Sequence, residues 1–163
     1  MKQPTKSDYL DWFKSNQVPN PVALTLTLKQ KIETDHIKGK FDFFLDDKRA
    51  SENVRYFLNR MNQSVYGNSF RRFGKRLSVI PIIEGNTYIR THIHMILERP
   101  DRINMIEYQK LIRKCWQNTS FGHQNIMIKY IYDYEGWVKY LLKNKTKDKG
   151  LPSSIDWSNL VTH

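Results

Sequence analysis

The chain has 163 residues, 39% hydrophobic and 13% aromatic, which is enough to fold around one core and argues against a disordered polymer. Lys and Arg number 27 against 16 acidic residues, a formal charge of +11, and this excess favours a polyanionic partner such as nucleic acid. The single cysteine, Cys115, excludes an internal disulfide framework and a cysteine-based zinc finger.

Targeting signals are absent from the pattern. The N-terminal residues lack the apolar core of a signal peptide, and no run approaches membrane-spanning length. We therefore expect a soluble protein in a reducing compartment, with no membrane partner.

The first predicted elements are a helix over 7–15, with Ser7 as its N-cap, and a strand over 22–28. The strand alternates cleanly between apolar residues on one face and small or polar residues, including Thr25 and Thr27, on the other. This pattern is typical of a strand that buries only one face.

The middle of the chain predicts a loop over 29–45, a helix over 46–66 and a hairpin whose arms are 77–84 and 88–98. Pro81 lies within the first arm of this hairpin. Because proline cannot donate to a ladder, it indicates an edge strand or a bulge.

The last predicted elements are a helix over 103–117, a strand over 125–132 and a helix over 134–144. We expect one domain over 1–147, followed by a loose tail over 148–163 that is rich in Lys, Asp, Ser and Pro. The element order predicts an α+β fold with a central antiparallel sheet and helices packed mainly on one face, similar to an RNA-recognition fold.

His92 and His94 are the most informative pair of residues. They are two positions apart in an apolar, β-branched run, so in a strand they share one face while Ile93 and Met95 take the other. They are either ordinary surface histidines or half of a metal site with open positions. Zinc, iron, manganese and magnesium all suit such a site.

Glu84 is the natural third ligand, and whether it can reach the histidines depends on the length of the hairpin loop. A two-residue turn at Gly85-Asn86 would put Glu84 on the opposite face. An odd-length loop, such as 85–89 with Glu84 paired to Arg90, would put it on the same face, diagonal to His92.

Tyr140 is the candidate nucleophile. On a helical wheel it lies with Lys143 away from the apolar arc formed by Trp137, Val138 and Leu141. A tyrosine beside an ammonium group and facing away from the core is arranged like an activated phenol, and the ammonium could equally hold a phosphate.

Three motifs over about 20–147 resemble those of HUH endonucleases, specifically the rolling-circle replication initiators of plasmids, phages and small single-stranded DNA viruses. The strand 22–28 resembles the first motif and His92-Ile93-His94 the second, with Glu84 where many members supply a third ligand. The third motif is similar to Trp137-Val-Lys-Tyr140-Leu-Leu-Lys143, which carries a single tyrosine.

The resemblance implies an HUH-type enzyme that nicks and joins single-stranded DNA at a replication origin, often in a hairpin loop, through a 5′-phosphotyrosine on Tyr140 assisted by Lys143. It implies Mg²⁺ or Mn²⁺ on His92, His94 and Glu84, and a helicase supplied in trans. The location would be the cytoplasm of a prokaryotic host, or the host nucleus for a eukaryotic virus. The predicted DNA-binding residues are Arg71, Arg72, Lys75, Arg76, Lys139, Lys147, Thr25 and Thr27.

Three alternatives remain open. An HUH transposase or relaxase would share the chemistry but not the biological role. A non-catalytic nucleic-acid-binding module would suit the charge but leaves the histidine pair unexplained. A zinc hydrolase, with water as its nucleophile, would explain the ligands but not Tyr140.

Overall fold

The structure is a computed structural model that describes residues 4–36, 39–85, 90–143 and 154–163. It has the predicted α+β fold. The elements, in chain order, are α1 (Lys6–Ser15), β1 (Pro21–Leu28), β2 (Lys31–His36), β3 (Gly39–Phe44), α2 (Asp47–Tyr66), α3 (Asn68–Phe73), β4 (Val79–Glu84), β5 (His92–Glu98), α4 (Met105–Gln117), β6 (Gly122–Tyr130) and α5 (Tyr134–Lys143). Within the described ranges, no helix combines the length and the apolar character needed to cross a membrane.

The helix ends follow from local hydrogen bonds. Thr5 caps α1, because its hydroxyl accepts from the Asp8 N–H while the Asp8 carboxylate accepts from the Thr5 N–H, so the prediction of Ser7 as N-cap is wrong. The carboxylate of Asp46 caps α2, and Gly67, with φ of +54°, ends it as predicted.

The predicted loop over 29–45 is wrong, because β2 and β3 form a hairpin there. Within the described residues, the two strands pair with each other and with no other strand, from Lys31 opposite Phe44 to His36 opposite Gly39. Along β2 the only apolar residue is Ile32, and β3 is exposed throughout, so no buried stripe marks either strand in the sequence.

The main sheet has the strand order β4-β5-β1-β6, and every neighbouring pair is antiparallel. One face packs against the two longest helices, α2 and α4, as the predicted architecture requires. In this core Leu24 and Met95 of the sheet join Phe57 and Trp116 of the helices, all almost fully buried. Burying these large side chains is the main source of stability.

The part of the chain that the structure describes covers the other face only in part. Ile80, Ile82 and Ile96 pack there with Phe13 of α1 and with Leu141 of α5. Because side chains alternate along a strand, His92 and His94 share this face with Ile96, and Glu84 shares it with Ile82. The helix that carries Tyr140 therefore packs on the same side of the sheet as the histidine pair.

The prediction of a loose tail is wrong for residues 154–163. Ile155 is 3% exposed and forms an antiparallel β-bridge with Ile82. Val161 forms a second β-bridge, with Val79. The reason is that β4 is an edge strand, as Pro81 indicates, and its free edge offers unpaired backbone groups that the tail satisfies. Residues 148–153 lie outside the described residues.

Candidate metal centre and nucleophile

The hairpin register brings Glu84 to the histidines. Glu84 pairs directly with His92, so the connection 85–91 has an odd number of residues, as a shared face requires. The partner is His92, not Arg90, but the parity is the predicted one. Gly85 allows the close approach of its backbone to Thr91, since a Cβ at position 85 would lie only 2.7 Å from the Thr91 hydroxyl oxygen.

The three side chains converge on one point. The Oε2 atom of Glu84 lies 3.5 Å from His92 Nε2 and 3.4 Å from His94 Nε2, and the two Nε2 atoms are 3.2 Å apart. Ligands bound at about 2.0–2.1 Å and at right angles to one another would be about 3 Å apart. Small side-chain shifts would therefore close these three atoms around an ion, with one face of its coordination sphere left open.

Two hydrogen bonds orient the histidine rings. His92 Nδ1 lies 3.1 Å from the carbonyl oxygen of Arg90, which can only accept, so Nδ1 carries the proton and Nε2 is free to bind a metal. His94 Nδ1 lies 3.2 Å from the hydroxyl of Thr25, and donation to that oxygen frees Nε2 in the same way.

Thr25 therefore has a position that sequence reasoning missed. It was predicted to contact DNA, whereas its hydroxyl lies against His94. The register of β1 on β5 places Thr25 opposite His94 and Thr27 opposite His92. Only this long-range pairing could reveal the contact, because the two residues are far apart in sequence.

The electrostatics of the cluster favour a cation. Burial by itself raises the pKa of Glu84, but hydrogen bonds with His92 and His94 outweigh it and lower the pKa to about 2. The hydrogen bond with Glu84 raises the pKa of His92, against the opposing effect of burial. The carboxylate is thus ionised, and a metal ion would take the place of the second proton that Glu84 favours on His92.

The second oxygen of the Glu84 carboxylate is left without a partner. This atom, Oε1, is buried on a side chain that is 14% exposed, and it makes no hydrogen bond to the described residues. An unpaired buried carboxylate oxygen is costly, and a bound ion would satisfy it. The residues present thus fit a metal, while two imidazoles and one carboxylate admit several metals, so Mg²⁺ or Mn²⁺ stays a prediction.

Tyr140 is exposed as predicted. It is 47% exposed and its ring stacks on that of Trp137 at 5.4 Å, whereas Val138 and Leu141 are buried. It lines a cavity of about 490 Å³ between α1 and α5, together with Lys6 and other residues of those helices. Lys143 is the last residue of α5, and its side chain lies outside the described residues.

The basic cluster among the predicted DNA-binding residues does not lie at the triad. Arg71 and Arg72 lie on α3, with Lys75 and Arg76 just after it, all exposed. Arg71 faces α2 and α4, which pack on the opposite side of the sheet from the triad.

The other predicted contacts are partly engaged elsewhere. Lys139 forms an ion pair with Glu135 at 2.7 Å, and the Thr27 hydroxyl donates to the Asn125 carbonyl oxygen at 2.6 Å. Lys147 lies outside the described residues.

Comparisons with family models, curated proteins and solved structures give no match to this chain.

Proposed function

We propose that the protein is a metal-dependent HUH-type endonuclease that nicks and rejoins single-stranded DNA through Tyr140. The observation that carries the proposal is the convergence of His92, His94 and Glu84, whose ligand atoms are 3.2–3.5 Å apart on one face of the sheet. A helix bearing an exposed tyrosine on that same side supports it, as does the net charge of +11.

In this reaction the chain supplies the nucleophile. The phenolic oxygen of Tyr140 attacks the scissile phosphorus, the bond from phosphorus to the 3′ oxygen breaks, and the 5′ phosphate stays on the tyrosine. The phenol loses its proton and the departing 3′ oxygen gains one. Lys143, three residues along α5, supplies a positive charge for the phenolate or the phosphate.

The triad would hold the metal. His92, His94 and Glu84 would bind Mg²⁺ or Mn²⁺, which when bound neutralises negative charge that develops on the phosphate. Because no water is consumed, the phosphotyrosine bond can be attacked by a 3′-OH, so the strand is rejoined. Initiation of rolling-circle replication at an origin hairpin, with a helicase in trans, is the role we propose for this chemistry.

A metal-dependent hydrolase is the second candidate. The observation that favours it is that the cavity lined by Tyr140 is bounded by α1 and α5 and includes none of the three ligands. Two histidines and a glutamate are also the ligand set of some zinc hydrolases, in which water is the nucleophile. The two functions differ in whether DNA becomes attached to the protein.

The deciding experiment is a search for a covalent adduct. The protein is incubated with Mn²⁺ and single-stranded DNA that spans its own replicon's origin, and the products are run on a denaturing gel. Wild type should form an adduct that Tyr140→Phe and chelation abolish. Tyr132→Phe is the matched control, since Tyr132 is 91% exposed and lies outside α5, and it should keep the adduct.

Two results would contradict the proposal. Cleavage by Tyr140→Phe at the wild-type rate would favour the hydrolase. Tight DNA binding without cleavage at the cognate origin would favour a binding module.

A further inference from the structure

A basic groove lies across the sheet from the triad. It is about 540 Å³ in volume and runs between α2, α3 and α4. Its lining includes Arg60 of α2, Arg71 of α3 and Lys114 of α4. Because α2 and α4 cover the opposite face of the sheet, the groove and the triad are on different sides of the protein.

The charge of the groove is one-sided. No acidic residue lines it, and within the described part of the chain none of Arg60, Arg71 and Lys114 has a carboxylate within 4.0 Å. Burial raises the pKa of the Cys115 thiol, while a hydrogen bond with Ser64 and the positive charges of Arg60 and Lys114 act against that rise. Both charged residues line the groove together with Cys115. Like charges held together without a counter-ion attract a polyanion.

The remaining lining suits a nucleic-acid strand. The polar residues Asn59 and Gln63 offer amide donors, which suit phosphate and sugar oxygens. Tyr56 on the rim is 67% exposed and provides a flat face on which a base can stack. Arg76 extends the positive surface beside the groove, since its guanidinium lies over the ring of Phe70, which lines the groove.

We propose that this groove binds the sugar–phosphate backbone of DNA that flanks the segment cut at the triad. The nucleotides at the triad cannot also lie in the groove, because the sheet and two helices separate the two sites. The groove therefore takes a neighbouring part of the substrate. That the two segments belong to one DNA rests on the proposed function, whereas DNA binding by the groove does not.

Charge neutralisation tests the groove. In Arg60→Gln/Lys114→Gln two lining charges are removed, and in the matched control Lys40→Gln/Lys48→Gln two exposed charges outside the groove are removed. Fluorescence anisotropy measures the affinity for a mixed-sequence DNA between 50 and 200 mM salt. Two lost phosphate contacts reduce the slope of log affinity against log salt concentration by about 1.4–1.8. The decrease in affinity between 50 and 200 mM salt should therefore be roughly seven- to twelvefold smaller than in wild type.

The outcomes separate cleanly. A reduced slope in the groove variant, a wild-type slope in the control and recovery in Arg60→Lys/Lys114→Arg would support the groove. Equal slopes in wild type and the groove variant, or an equal loss in the control, would overturn it. Adduct formation on a short oligonucleotide should be unchanged in the groove variant. A wild-type protein that binds through the groove but forms no adduct would refute the nickase and leave the groove intact.

Discussion

Thr25→Val tests whether Thr25 orients a metal ligand. The substitution replaces the hydroxyl by a methyl group of similar size and removes the partner of His94 Nδ1, 3.2 Å away. The ring then loses the contact that keeps Nε2 directed at Glu84. Because the hydrogen bond of a metal-bound imidazole also strengthens its binding, we expect the loss to appear in metal affinity.

The size of the effect follows from burial and distance. His94 is 8% exposed, so its Nδ1–H cannot turn to water when the hydroxyl is removed. Loss of the hydrogen-bond partner of a metal-bound imidazole typically costs about 10–100-fold in metal affinity. A separation of 3.2 Å is at the long end for such bonds, so we expect the lower end of that range, roughly a tenfold loss of affinity, or about 1.4 kcal/mol.

Calorimetric titration with Mn²⁺ measures the loss, and Thr27→Val is the matched control. Thr27 lies on the same face of β1, directly opposite His92, but its hydroxyl donates to the Asn125 carbonyl oxygen, and among the described residues it forms no hydrogen bond with His92 or His94. Thr25→Ser should retain most of the affinity. Binding by Thr25→Val within twofold of wild type, or an equal loss in Thr27→Val, would refute the reasoning.

Three further predictions concern pH and the tail. Because the pKa of His92 is raised above 6.5, Mn²⁺ must displace a proton, and titrations should show affinity falling at least about tenfold per pH unit below that pKa; a flat profile would contradict this. Without metal, His92 contributes stability that is lost as pH rises through its raised pKa. Glu84 contributes stability that is lost as pH falls towards its pKa of about 2. Both contributions are present between pH 4.5 and 6.5, so Glu84→Gln should lower the melting temperature most in that range. Ile155→Ala should lower the free energy of unfolding by about 2–4 kcal/mol in urea titrations, because Ile155 is almost fully buried; an effect as small as that of the exposed His163→Ala would mean that the tail is not part of the core.

Much of the fold was predictable from local patterns. The alternation of β1, the helical spacing in α2 and Pro81 at an edge each depend on a few neighbouring residues, and the structure confirms them. The errors have local causes as well. The β2–β3 hairpin lacks a buried stripe, and Thr5, with Asp8 three residues later, forms a capping box ahead of the predicted cap Ser7.

By itself, the sequence determined that His92 and His94 share a face, because strand periodicity depends on local geometry alone. It also showed that Glu84 can join the histidines only if the hairpin loop has an odd number of residues. Only the tertiary structure decided that question, since the register of β4 on β5 is set by burial of the whole sheet. The same long-range pairing placed Thr25 against His94, and helix packing placed Arg71 on the far side of the sheet. These contacts join residues far apart in the chain, and the spacing of neighbouring residues carries no information about them.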